Sequence, residues 1–189
     1  GQADRAVDYM HQLLGLRPND ERLEASLERL LERQERWSDL IALWKRRIEL
    51  QGREATPGLQ ARIAETALDK LHAPDAALEE TRTLLSDSPE DRDGTGLLER
   101  IIALPSAAPG VRAGALELLR TTYEDARRPE EVIRVLGDAL PLADTATAIS
   151  LHREIGERLV TIDRAVSAMD HFVDVLRLDP DLEEDQRRL

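Results

Sequence analysis

The chain has 189 residues, 41% of them hydrophobic and 34% charged, with a net charge of −12 and no cysteine. So acidic a balance argues against nucleic acid as the main partner, because phosphate contacts need a basic surface, and against adsorption to an anionic membrane. Disulfide, zinc-thiolate and thiol chemistry are excluded, and no apolar run approaches the ~18 residues that a membrane-spanning helix requires.

The first element is a helix from Gln2 to Leu16, with Ala6, Met10, Leu13 and Leu14 at helical spacing and Pro18 just beyond it. It reads as the second helix of a hairpin whose first helix is missing. Asp20 then caps a helix from Glu21 to Gln34 with Leu23, Leu27, Leu30 and Leu31 on its apolar face. Trp37 to Leu50 packs back on it, and Gln51 to Pro57 is a polar loop. Gly58 to Leu71 and Pro74 to Leu85 form a further hairpin, with Pro74 in a first-turn position where its missing donor costs nothing.

Residues 91–110 break the rhythm. Leu97, Leu98, Ile101 and Ile102 predict an extra helix from about Thr95 to Leu104, ended by the run from Pro105 to Gly110. Val111–Ala126 and Pro129–Leu140 resume the hairpins, followed by Asp144–Val160 and Asp163–Leu178. The closing LEEDQRRL reads as the opening of another first helix. Both ends therefore read as cut from a longer array, with the whole chain forming one domain.

The clearest hairpin is Leu151 to Asp181. Its first helix carries Leu151, Ile155, Leu159 and Ile162 on one face; its second carries Ala168, Phe172, Val175 and Leu176, with Pro180 after it. Gly156 costs about 1 kcal/mol relative to alanine inside a helix, so another segment, expected to be backbone, should come close there. The same spacing recurs at Ala77, Thr81, Leu84, Leu85 and Pro89. Trp37–Leu50 aligns with Pro129–Leu142, matching Leu40, Ile41, Trp44 and Ile48 to Val132, Ile133, Leu136 and Leu140. Pro18, Pro89 and Pro180 are 71 and 91 residues apart, which gives a period of about 35 residues, a helical-repeat length.

The run of Ile155-Gly156, Leu159, Ala168, Phe172, Val175 and Leu178-Asp179-Pro180 resembles the tetratricopeptide repeat signature. Tyr123 and Ala139 fall at its first-helix aromatic and late second-helix alanine. Glu65 and Thr81 depart from it, where the family has a small residue and an aromatic. The resemblance covers nearly the whole chain and is similar in tone to long bacterial arrays. It implies an all-α, right-handed superhelical solenoid of antiparallel helix-turn-helix units. It also implies a non-catalytic scaffold that holds a protein or peptide partner in a concave groove lined by first helices. Carried over by alignment, Arg22, Arg29, Glu32 and Arg33, then Arg62, Thr66, Asp69 and Lys70, line the groove near the N-terminus. Glu117, Thr121, Glu124 and Asp125, then Ser150, Arg153, Glu157 and Thr161, line it farther on. The cations Arg22, Arg29, Arg33, Arg62 and Lys70 would suit an acidic partner. The alternatives are a regulatory segment of a larger signalling protein and a structural spacer. Self-association through uncovered repeat ends is a further expectation.

Catalytic and cofactor signatures are missing from the sequence, and no cofactor is expected. His11, His72, His152 and His171 form no HExxH spacing, and Gly94 and Gly96 make only a lone GTG. Asp8 could face His11 one helical turn away, and His152 could approach His171 within one hairpin, without a third ligand. Trp37 and Trp44 share one side of a helix and read as core. Compartment is left open between cytosol and periplasm.

Overall fold

The computed structural model describes residues 2–18, 20–52 and 58–179. Most of the expected loop at Gln51–Pro57, and the closing stretch from Pro180 onward, lie outside them. The described residues are all-helical. The elements are α1 (Gln2–Leu16), α2 (Glu21–Arg33), α3 (Trp37–Gln51), α4 (Leu59–Asp69), α5 (Pro74–Asp87), α6 (Arg92–Ala103), α7 (Pro109–Asp125), α8 (Pro129–Ala139), a short 3-10 turn (Leu140–Leu142), α9 (Thr145–Thr161) and α10 (Ala165–Leu178).

Local chemistry sets the helix starts. Asp20, Asp91 and Asp144 open α2, α6 and α9, accepting the backbone N–H of Leu23 at 3.1 Å, Gly94 at 2.8 Å and Thr147 at 2.8 Å; each satisfies a donor that the first turn leaves free. Proline opens α7 and α8. The hairpin turns share one device. Glu35, Arg127 and Asp163 adopt positive φ of 53°, 54° and 61°. The next residue of each turn donates its N–H back to the preceding helix: Arg36 to Leu31, Arg128 to Tyr123 and Arg164 to Leu159. This closes the last turn as a glycine usually does. His72, at φ 51°, makes a longer variant between α4 and α5, with Ala73 donating to Ala67.

The chain divides into two compact units, Gly1–Glu80 and Thr81–Leu189, the division falling within α5. In the first unit α1 packs on α2, α2 on α3 and α3 on α4, and Gln60 of α4 donates to Glu80 of α5 at 2.7 Å. Its core gathers Val7, Leu14, Leu27, Leu31, Leu40, Trp44 and Ile63. In the second unit α6 packs on α7, α7 on α8, α8 on α9 and α9 on α10, and α6 also touches α8.

One burial plan recurs along the chain at an interval of 91 or 92 residues. Buried Leu27, Leu31, Leu40, Trp44 and Ile63 are answered by buried Leu119, Tyr123, Val132, Leu136 and Ile155. Ala77 and Thr81 are answered by Ala168 and Phe172, and Val7 of α1 by Leu98 of α6, all buried. The turn residues Glu35 and His72 recur as Arg127 and Asp163. The helix expected as an insertion thus begins earlier than expected, at Arg92, and corresponds to α1: in both sets an unpaired helix precedes two hairpins.

Ion pairs record a shorter interval. Lys45 pairs with Glu80 and Glu99 with Arg134, each 35 residues apart. Arg120 pairs with Glu154 and Glu124 with Arg158, each 34 apart. Glu28 and Arg62 stand at the same spacing, 2.8 Å apart. Helices one period apart therefore lie side by side: α2 with α4, α3 with α5, α6 with α8 and α7 with α9.

Candidate interaction surface

The five cations expected to line an N-terminal groove have different surroundings. Arg22 is exposed and borders an open depression of about 580 Å³ with Arg17, Pro18, Asp20 and Glu21. Arg29 is exposed, but its Nε donates to the Ala25 carbonyl of its own helix at 3.0 Å. Arg33 is exposed in the last turn of α2, where a cation meets the negative end of the helix, and its side chain has no partner among the described residues.

Arg62 and Lys70 are engaged within the fold. The Arg62 guanidinium lies 4.3 Å from the centre of the Trp44 ring, and it pairs with Glu28 at 2.8 Å and Glu32 at 3.6 Å. Lys70 Nζ lies 5.2 Å from the centre of the Trp37 ring. The two tryptophans of α3 thus each carry a cation, one from α4 and one from the residue that follows it. Such stacking contributes about 0.5–1 kcal/mol at exposed sites. Trp44 is also core, as expected, with its Nε1 buried and without a hydrogen-bond partner. The Arg62 charge is compensated by its two glutamates, whereas Arg22, Arg29 and Arg33 face no carboxylate among the described residues.

The first helices of the C-terminal hairpins carry a denser arrangement. Arg120 of α7 is held by Glu117 of its own helix at 2.7 Å, and reaches Glu154 of α9 at 3.3 Å. Arg158 bonds Glu154 at 2.7 Å and also pairs with Glu124. The hydrogen bonds that Arg120 donates to Glu117, followed by the pull of the surrounding carboxylates, hold its proton more tightly than usual. Beside this cluster, Ser150, Arg153, Glu154, Glu157, Arg158 and Thr161 border an open polar depression of about 480 Å³ on α9. It collects the four α9 residues expected in the groove. Their hydroxyls turn inward: Ser150 donates to the Ala146 carbonyl and Thr161 to that of Glu157. The roles of Arg120, Glu154 and Arg158 were missed in the sequence, although opposite charges 34 residues apart were a usable signal.

The histidines divide likewise. No hydrogen bond joins Asp8 to His11. His152 of α9 and His171 of α10 meet, with their Nδ1 atoms 3.0 Å apart, so one ring donates to the other. Burial, and then the neighbouring His152, lower the pKa of His171, against a smaller opposing pull from Asp174 and Asp170. Neither ring borders the depressions described here. Among the described residues no group of three or more histidines and carboxylates is placed to hold a metal ion.

No family model matches the chain, and neither does any curated protein. Among solved structures, it is similar to "MamA 41-end from Desulfovibrio magneticus RS-1", with 18% identity over 97% of this chain and 89% of that chain and a TM-score of 0.34.

Proposed function

We propose that the protein is a non-catalytic scaffold of tetratricopeptide-like hairpins that binds a protein or peptide along the row of first helices. The observation that carries this reading is the side-by-side placement of α7 and α9, fixed by the Arg120–Glu154 and Glu124–Arg158 pairs. It turns side chains one period apart into one broad, polar, open strip. A strip of that kind offers many spaced hydrogen-bonding and charged groups on rigid helices, which suits an extended polypeptide better than a small substrate. A right-handed superhelix with its concave side along this row is the architecture that the repeat resemblance implies. On the first unit, Arg22, Arg29 and Arg33 would favour acidic residues of the partner.

The test is affinity capture from a lysate of the source organism, using the chain beside two variants. One is Arg22→Glu/Arg29→Glu/Arg33→Glu, which leaves the Arg62–Trp44 stack intact. The other is Ser150→Arg/Thr161→Arg, which crowds the α9 strip. A protein retained by the parent chain and lost with either variant, then shown to bind directly when purified, supports the reading. Equal retention by all three baits contradicts the first-helix row as the binding surface.

A further inference from the structure

The α7–α9 seam is closed by charge at one end and open at the other. Glu124 meets Arg158 and Arg120 meets Glu154 in the later turns. Nearer the start of both helices, the positions one period apart are Ala113 and Thr147, too small to fill the space. A cavity of about 360 Å³ opens there, lined chiefly by Ile102, Leu116, Ala139, Leu142 and Leu151 with Arg112 beside them. Its size lies at the lower end of the range for small-molecule sites, and so does the balance of many apolar walls to few polar groups.

The polar groups around it are not equivalent. Asp144 also lines the cavity, but its carboxylate is committed to α9: it accepts the Thr147 N–H at 2.8 Å, and the Thr147 hydroxyl bonds it as well. Arg112 is half-buried, and its guanidinium makes no hydrogen bond or ion pair with any described residue. Gly110 borders the same space in the first turn of α7, where Ala108 offers no side-chain oxygen to cap the helix. The unsatisfied charge and the free end of the helix therefore have the same sign, and both favour an anion.

The first unit shows what the burial plan accommodates at the corresponding positions. Leu116 and Ala139 stand 92 residues beyond Glu24 and Arg47, whose carboxylate and guanidinium lie 3.8 Å apart, with Glu24 buried. In the second unit leucine and alanine replace both charges, and the lining becomes apolar.

We propose that this cavity binds a small aliphatic carboxylate, with its alkyl chain among Ile102, Leu116, Leu142 and Leu151 and its carboxylate paired with Arg112. No aromatic residue lines the cavity to stack on a planar ring, and apart from Arg112 no free side-chain donor is present to fix a polar ligand. The inference goes beyond the protein-binding reading and does not depend on it.

The test is calorimetric titration of the full chain with sodium decanoate, with decanol, decyltrimethylammonium and a short peptide ending in Leu-Leu as comparisons. Saturable binding of one decanoate per chain is expected. Arg112→Gln, which breaks no side-chain hydrogen bond or ion pair with a described residue, should weaken it about tenfold through loss of one charge-assisted pair. Ala113→Leu, which points a good helix former into the space, should abolish it while the circular dichroism spectrum is unchanged. Decanol or the cationic amphiphile binding as tightly as decanoate would overturn the proposal. So would decanoate binding that survives Arg112→Gln undiminished, or binding of the peptide alone.

Discussion

Gly156 of α9 lies under the ring of Phe172 of α10: a Cβ at Gly156 would stand 2.7 Å from Phe172 Cε1 and 2.8 Å from Cζ. The approach is that of a side chain, not of the backbone expected from the sequence. It explains a glycine inside a helix, where it costs about 1 kcal/mol relative to alanine. Phe172 is buried, so the ring has little room to yield. The corresponding positions 92 and 91 residues earlier carry Ala64 and Thr81, a larger residue on one helix and a smaller one on the other.

Gly156→Ala should therefore destabilise the fold despite its better helix propensity. Overpacking costs about 1–3 kcal/mol against the roughly 1 kcal/mol that propensity returns. Phe172→Leu, which shortens the side chain, should recover part of the loss in the double variant. Thermal unfolding of the two single variants and the double variant measures the coupling; additive losses would show that the ring and the glycine do not interact.

Glu24 gives a pH-dependent prediction. The residue is 5% exposed, Oε2 is buried without a hydrogen-bond partner, and the Arg47 guanidinium is 3.8 Å away. Burial is the largest influence and raises its pKa above 4.5, with Arg47 and Arg46 pulling the other way. A raised acid favours the folded state at low pH, and that contribution is lost as pH rises through the folded pKa. Glu24→Gln should accordingly melt higher than the parent chain at pH 7, with the difference shrinking toward pH 4.5. A variant that melts lower at pH 7 would mean that the Arg47 contact outweighs desolvation.

The histidine pair predicts the opposite slope. The pKa of His171 is held below 6.5, so the folded state binds fewer protons there than the unfolded state. Its contribution is present above pH 6.5 and fades as pH falls through the folded pKa, when a partly buried His171 has to take up a proton. His171→Gln should flatten the pH dependence of melting between pH 7 and 5. Proton NMR titration of the ring resonances should place His171 below 6.5, and a midpoint above that value would contradict the assignment.

The sequence disclosed most of the helices, the cap at Asp20 and the hairpin partners, because these depend on local periodicity and short spacings; the caps at Asp91 and Asp144 emerged only from the structure. The match of Trp37–Leu50 to Pro129–Leu142 already carried the longer interval. The correspondence of α1 with α6 escaped notice because Leu97 stands where α1 has the small Ala6, although a proline-containing run closes α6 as Pro18 closes α1. The turns at Glu35, His72, Arg127 and Asp163 carry no glycine, so the usual signal for a left-handed turn was missing. The engagement of Arg62 and Lys70 depends on how α3 and α4 lie together, which no local pattern encodes. The cavity beside Arg112 depends on small residues from separate helices, and becomes visible only when α7 and α9 are placed in register.

That register is tested most directly by the Glu28–Arg62 and Arg120–Glu154 pairs. They occupy corresponding positions in the two sets of helices with their signs exchanged. If α2 and α4 lie side by side as α7 and α9 do, the first pair should tolerate exchange. Glu28→Arg should lower the melting temperature by setting two arginines against each other. Glu28→Arg/Arg62→Glu should restore most of it, less the stacking of Arg62 on Trp44; exposed pairs of this kind contribute about 0.2–1 kcal/mol. The measurement is a double-mutant cycle by thermal denaturation at low salt. A double variant clearly more stable than the sum of the two single effects is the predicted result. Strict additivity of the two substitutions would contradict the side-by-side placement of helices one period apart.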